Sequence, residues 1–258
     1  MSFDADLTAC AQLVERGDPD RFAATMAAPI ETRKVLFPIY AFNVEVSRAP
    51  WLTQEAIIAE MRLQWWTDAL DEIASGGIVR RHEVVTSLAH VLDADGARVL
   101  HRVVTARLWD IYRDPFEDEA AFSKYLEETS ASLFLTASQS LSNQMPDSLK
   151  DLGYASGLAQ FLRAVPELER QGRIPLVDGR PDALRALATN GLARLRAARD
   201  AKSEIAMKAR AIALAAWQAE PILRQVQDDP TRVANGTLGT AEVYKKARLI
   251  WQAFTGRW

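Results

Sequence analysis

Apolar residues recur along this chain at steps of three and four, and that rhythm leaves little choice but helix. Between residues 54 and 75, Ile58, Met61, Trp65, Trp66, Ala69, Leu70 and Ile73 follow it. Glu60, Gln64, Asp68 and Asp71 fall mostly on the opposite side. A step near 3.6 residues gathers apolar side chains into one stripe of a helix, whereas a half-buried strand needs strict alternation. Glycine and proline signals separate long segments instead of marking closely spaced hairpins. The pattern predicts an all-α chain.

Caps and breakers divide it into helices at roughly 4–16, 19–27, 31–47, 53–75, 82–91, 94–112, 118–141 and 147–166, with two or three more over 181–227 and 240–255. Thr53 is the expected cap of a helix starting near Gln54, and Gly76-Gly77 its expected end. Asp93 is the expected cap of the next long helix, which Asp114-Pro115 should close. Pro38 should kink its helix and remove one backbone hydrogen bond. Loops at 141–146, 172–181 and 228–239 are too short and too unbiased to be linkers, so residues 1–258 read as one domain.

Composition narrows the function classes. Lys+Arg is 31 and Asp+Glu is 34, giving a net charge of −3, which lacks the positive footprint of a nucleic-acid binder. Cys10 is the single cysteine, so neither a disulfide within the chain nor a cysteine-based zinc site can form, and Cys10 reads as inert. His82, His90 and His101 are too widely spaced for a helical metal-binding pair. Asp228-Asp229 stands beside Pro230 and reads as a turn. No apolar run approaches the length of a membrane span. The acidic start Met1-Ser-Phe-Asp-Ala-Asp has no leader pattern and predicts a cytoplasmic protein, with membrane contact peripheral at most. The Arg- and Ala-rich segment 183–219 reads as a solvated helix face, with an anionic membrane surface or acidic partner as the alternative.

No phosphate loop, dinucleotide fingerprint, nucleophile elbow or His-Glu-x-x-His motif is present. Three segments stand out instead. The first holds Tyr40-Ala-Phe42, the second Gln64-Trp65-Trp66 followed by Asp68 and Leu70, the third Leu162-Arg163 followed by Gly172-Arg173 and Pro175. In this order they resemble the signatures of the squalene/phytoene synthase family, over roughly residues 20–255. That resemblance implies an isoprenoid (terpenoid) synthase-like helical bundle around a central cavity. Active members condense two allylic diphosphates head to head. Mg²⁺ offsets the leaving group's charge there and is held by aspartate pairs, spaced i, i+4, on two facing helices.

This sequence departs from that pattern. A few residues beyond Phe42, where the first aspartates belong, stand Ser47, Arg48 and Trp51, with only Glu45 acidic nearby. The second motif, Asn-x-x-Arg-Asp in the family, reads Gln160-Phe-Leu-Arg163-Ala164. Glu167 and Glu169 follow, but Pro166 is expected to interrupt the helix or end it before them. Losing even one such group often costs about two to four orders of magnitude in rate. Phe42-Asn-Val-Glu45, residues 125–133 and Leu162-Arg-Ala-x-Pro166 further resemble a subgroup that lacks the aspartates and supports assembly of respiratory complex I.

The implied function is that of a pseudoenzyme without cofactor, with a respiratory-complex partner or an isoprenoid or lipid ligand. The alternative is a Mg²⁺-dependent head-to-head prenyltransferase of isoprenoid biosynthesis. The remnant cavity would be lined by Arg33, Tyr40, Asn43, Glu45, Ser47, Gln160, Arg163 and Glu167. Arg33 and Arg163 suit bidentate anion binding or structural ion pairs. Glu45 reads as a lone cavity acid or as a partner of Arg48 or Arg33. Tyr40 is most simply a core residue, and Trp65 and Trp66 read as packing before cavity lining.

Overall fold

The computed structural model describes residues 5–258. Thirteen α-helices are joined by 3₁₀ and π segments, with no strand among the described residues. They are α1 (Ala5–Gly17), α2 (Pro19–Met26), α3 (Ile30–Arg48), α4 (Ala56–Ala74), α5 (Glu83–Ala89), α6 (Ala94–Ala106) and α7 (Glu119–Leu126). Then come α8 (Ser132–Ser142), α9 (Asp147–Arg170), α10 (Pro181–Asp200), α11 (Ala219–Asp228), α12 (Thr231–Ala234) and α13 (Glu242–Thr255). The predicted helix start at residue 4 and the N-terminal reading of residues 1–4 lie outside the described residues.

Helices α3 and α9 are the central pair of walls. Nearly every residue of α3 from Val35 to Val46 is buried, as is most of α9 from Ser148 to Leu162. Such all-round burial requires neighbours on every side. α1, α2 and α5 cover α3, while α10 and α11 cover α9. The rhythmic segment becomes α4, which packs on α6. Its Trp66 is buried edge-on against Phe42, with ring centroids 5.4 Å apart. One main core cluster runs from Leu7 to Trp258. A small second cluster, Ala24, Ala28, Leu214, Trp217 and Leu249, attaches α13 to α2 and the 3₁₀ segment Met207–Ala216.

Several boundaries differ from the sequence expectation. α4 starts at Ala56, because the Thr53 hydroxyl accepts from the Glu55 N–H and closes a turn before the helix. The expected helix over 94–112 ends as α-helix at Ala106 and tightens into a 3₁₀ turn over Arg107–Asp110. Asp93 does cap it, its carboxylate accepting from the Gly96 N–H at 2.7 Å. The expected 118–141 helix contains a π turn, Glu127–Ala131, between α7 and α8. Pro166 neither ends nor interrupts α9, which continues to Arg170. A proline one turn from a helix end forfeits a single hydrogen bond, while Val165 is buried and Leu168 packs on the core. Pro38 likewise lies buried inside α3, which continues across it to Arg48.

The π turn and α9 touch backbone to backbone. A Cβ on Gly153 would stand 2.5 Å from the Ala131 Cα, and one on Gly157 would stand 2.6 Å from the Ser130 Cβ. These two glycines, one helical turn apart, set how closely α9 approaches the segment carrying Thr129 and Ser130.

Candidate functional site

α3, α9, the π turn, the start of α2 and the 107–110 turn enclose an open-mouthed cavity of about 420 Å³. Asn43 and Ser47 face it from α3, with Trp51 at its rim. They lie four residues apart and so share a helical face. From α9 come Gly157, Gln160, Phe161, Ala164, Glu167 and Leu168, again in steps of three and four. Thr129 and Ser130 line it from the π turn; the extra residue of such a turn re-aims side chains at functional sites.

The charged part of the wall is paired internally. Asp18 caps α2 by accepting from the Arg21 N–H at 3.0 Å, and its second oxygen holds the Arg21 guanidinium at 2.9 Å. That guanidinium lies 5.3 Å from the Tyr40 ring centre. Across the cavity, Asp110 accepts from Tyr125 Oη at 2.9 Å and from Arg107 Nη1 at 3.0 Å. Arg107 Nη1 also donates to Tyr125 Oη at 2.8 Å, closing a three-member ring. Burial, and beyond it the Asp110 carboxylate, raise the Tyr125 phenol far above its ordinary range. Burial works against the Arg107 charge, but Tyr125 and Asp110 outweigh it and hold that side chain ionised. Arg173, buried, donates to the main-chain oxygens of Trp109, Tyr112 and Asp110 and stacks on Trp51 and Trp109, tying the 107–112 segment to the chain after α9.

Four buried polar atoms around this space make no hydrogen bond: Asn43 Oδ1, Arg21 Nε, Arg107 Nε and, behind Arg21, Tyr40 Oη. Buried polar atoms left unpaired each cost about 1–3 kcal/mol, so a ligand bringing partners to them is stabilised. Among the described residues no group of three or more His, Cys, Asp or Glu side chains is placed to hold a metal ion.

The structure brings together Asn43, Ser47, Gln160 and Glu167 from the sequence-predicted set. Glu167 sits at the exposed mouth, accepting from Gln171 Nε2 at 2.7 Å and pairing with Arg170. Tyr40 is fully buried behind the wall, where burial pushes its phenol well up. Arg163 turns outward to Asp20 at 3.0 Å, fixing α2 to α9. Tyr40, Arg163, Arg33 and Glu45 are thus all corrections to the expected cavity lining. Arg33 Nε donates to the Ala28 carbonyl at 2.7 Å and braces the α2–α3 turn. Glu45, two residues from Asn43, is rotated to the far face of α3, where it borders a surface groove with Trp65, Trp66 and His82. Asp18, Arg21, Arg107, Asp110 and Tyr125 carry no motif that the sequence rhythm marks. Their local signals are the Asp18-Pro19 helix start, the i, i+3 pair Arg107/Asp110 and, for Tyr125, its place at the head of the 125–133 segment.

Residues 14–177 match the family profile described as squalene/phytoene synthase. Over 96% of its length the chain is 27% identical to the Drosophila melanogaster "NADH dehydrogenase (ubiquinone) complex I, assembly factor 6 homolog", covering 83% of that protein. Over 61% of its length it is 24% identical to assembly factor 6 of Bos taurus, of which it spans about half (48%). Among solved structures, a dehydrosqualene synthase in complex with ligand superposes with a TM-score of 0.79 at 17% identity, covering 97% of this chain and 96% of that one. A squalene synthase from Alicyclobacillus acidocaldarius superposes with a TM-score of 0.72 at 13% identity, covering 88% and 94%. These structural likenesses establish the isoprenoid synthase-like helical fold.

Proposed function

The chain belongs to the squalene/phytoene synthase family, and we propose that it keeps the family's cavity without metal-assisted ionisation of a diphosphate and serves the assembly of respiratory complex I. The observation that carries the first half is how the cavity carboxylates are spent. Mg²⁺ demands near-ideal octahedral oxygen ligands, usually one or two free carboxylates with waters and phosphate. Both oxygens of Asp18 and both of Asp110 accept from groups in their own wall, and Glu167 at the mouth accepts from Gln171 and pairs with Arg170. At the wall positions where the resemblance expects acids stand Ser47, Trp51 and Ala164, with Gln160 where it expects asparagine. The donor set does not fit the ion.

The second half rests on the relatives named as complex I assembly factors, one of them matched along nearly the whole chain. A respiratory-complex protein is the corresponding partner, and a polar-headed apolar molecule is the ligand that the lining suits. Leu126, Phe161 and Leu168 offer apolar surface beside the unpaired Asn43 and arginine atoms. The place of work would be the cytoplasm or the membrane surface beside the complex; no described helix is long and apolar enough to cross a membrane.

Two measurements test the two halves separately. Purified chain with labelled farnesyl or geranylgeranyl diphosphate and Mg²⁺ should release no pyrophosphate and form no head-to-head product; robust turnover overturns the pseudoenzyme reading and restores the prenyltransferase. Deleting the gene should lower complex I activity in membranes, and unchanged activity overturns the assembly role.

A further inference from the structure

Away from the cavity, α13 presents an apolar face that none of the described residues covers. Val243, Tyr244, Ala247, Ile250, Trp251 and Phe254 occupy roughly a third of the helix circumference and are all exposed, Phe254 at 89%. The opposite side is attached through Leu249 and Ala253. From Val243 onward the chain carries Lys245, Lys246, Arg248 and Arg257 and no acid. Lys246 and Arg257 join no ion pair among the described residues, while Lys245 is held by Glu242 and Asp20.

Beside this face opens a cleft of about 490 Å³ between α10, α11 and α13, lined by Arg199, Lys202, Glu220, Arg248, Arg257 and Trp258 among others. Its four cations face one side-chain acid, Glu220, which pairs with Arg199 and Arg248. One buried donor in its wall has no partner: the indole Nε1 of Trp258, a residue exposed by only 8%. An unpaired N–H donor among cations is what an anionic oxygen would satisfy.

We propose that this face docks on an anionic lipid bilayer: the apolar arc of α13 enters the interface, and the adjoining cleft takes a phospholipid phosphate. Exposed Trp, Tyr and Phe beside basic residues suit the headgroup boundary, where apolar burial and attraction to anionic lipid act together. A second copy is disfavoured, because a two-fold contact would press the same cations against themselves. The docking face stands apart from the assembly role: the complex I measurement can fail while the vesicle measurement succeeds.

Co-sedimentation of the full chain with phosphatidylcholine vesicles, with and without phosphatidylglycerol, tests the proposal. The wild type should sediment with the anionic vesicles, far less with the neutral ones, and less as salt rises. Replacing both Ile250→Ser and Phe254→Ser, which touch no core, should cut binding at least about tenfold with the far-ultraviolet spectrum and Tm retained. Trp258→Phe with Lys202→Gln should reduce the preference for phosphatidylglycerol over phosphatidylcholine. Absence of wild-type binding overturns the proposal. So does anionic-vesicle binding that survives the Ile250/Phe254 change, which would place the contact on another basic surface. A dimer in light scattering that the same change splits overturns it in favour of a copy interface. Saturable binding of inorganic phosphate without vesicle binding reduces the cleft to a solution anion site and also overturns docking.

Discussion

At the scale of single residues, the cavity wall is held by charges whose partners are fixed. Asp110 is 3% exposed and its carboxylate neutralises Arg107 while accepting from Tyr125. Asp110→Ala leaves a buried guanidinium uncompensated, which typically costs about 3–5 kcal/mol; in a chain of this size that is a Tm loss on the order of 10 °C by calorimetry. Tyr125→Phe removes one neutral member and should cost about 1–2 kcal/mol. Gly153→Ala drives a methyl into the Ala131 backbone, which has no rotamer to yield, and should destabilise by about 1–3 kcal/mol. Glu220 gives a pH signature. Burial raises its carboxyl, but hydrogen bonds from Arg199, Arg224 and Arg248 outweigh burial and bring it down to about 2. Its folded-state value is depressed, so its contribution is fully present above the unfolded value of 4.5 and disappears as pH falls toward 2. Thermal melts of wild type and Glu220→Gln should therefore differ by roughly 1–2 kcal/mol at neutral pH, after allowance for solvent screening, and converge near pH 2.

At the scale of elements, helix starts were legible because capping chemistry is local. Asp93 before α6 and Asp118 before α7 each accept from an N–H three residues on, both at 2.7 Å. Asp93 also accepts from Gln139 of α8 at 2.7 Å, so Asp93→Ala should cost about 1–2 kcal/mol, read by urea unfolding. Helix ends and irregularities were less legible. α9 runs through Pro166 because tertiary burial of the residues around it outweighs one missing hydrogen bond. The π turn at Glu127–Ala131 answers the close approach of α9, a contact formed across more than twenty positions of chain, and no local pattern near Glu127 announces it.

At the scale of the molecule, the cavity's character follows from how the two walls were filled. If its carboxylates are committed to arginine, tyrosine and glutamine side chains, millimolar Mg²⁺ should leave Tm unchanged within error, since a ligand stabilises only as far as it binds the folded state. A rise in Tm on adding Mg²⁺, saturating with concentration, would show a metal site that the wall pairing does not predict.

The apolar rhythm alone determined that this chain folds as helices, and Ser47, Trp51 and Ala164 could be read from the sequence as non-acidic residues where the resemblance expects acids. Side chains three or four residues apart must share a helical face, so Asn43 with Ser47 and Gln160 with Ala164 were legible as neighbours. Only the tertiary structure decided which way each face turns. It sent Arg163 to Asp20 and Glu45 to the outer groove. It brought Asp18, Arg21, Arg107, Asp110 and Tyr125 together from separate segments. Periodicity is a property of one helix, whereas a cavity wall is set by how several helices pack, and packing is decided by contacts distant in sequence.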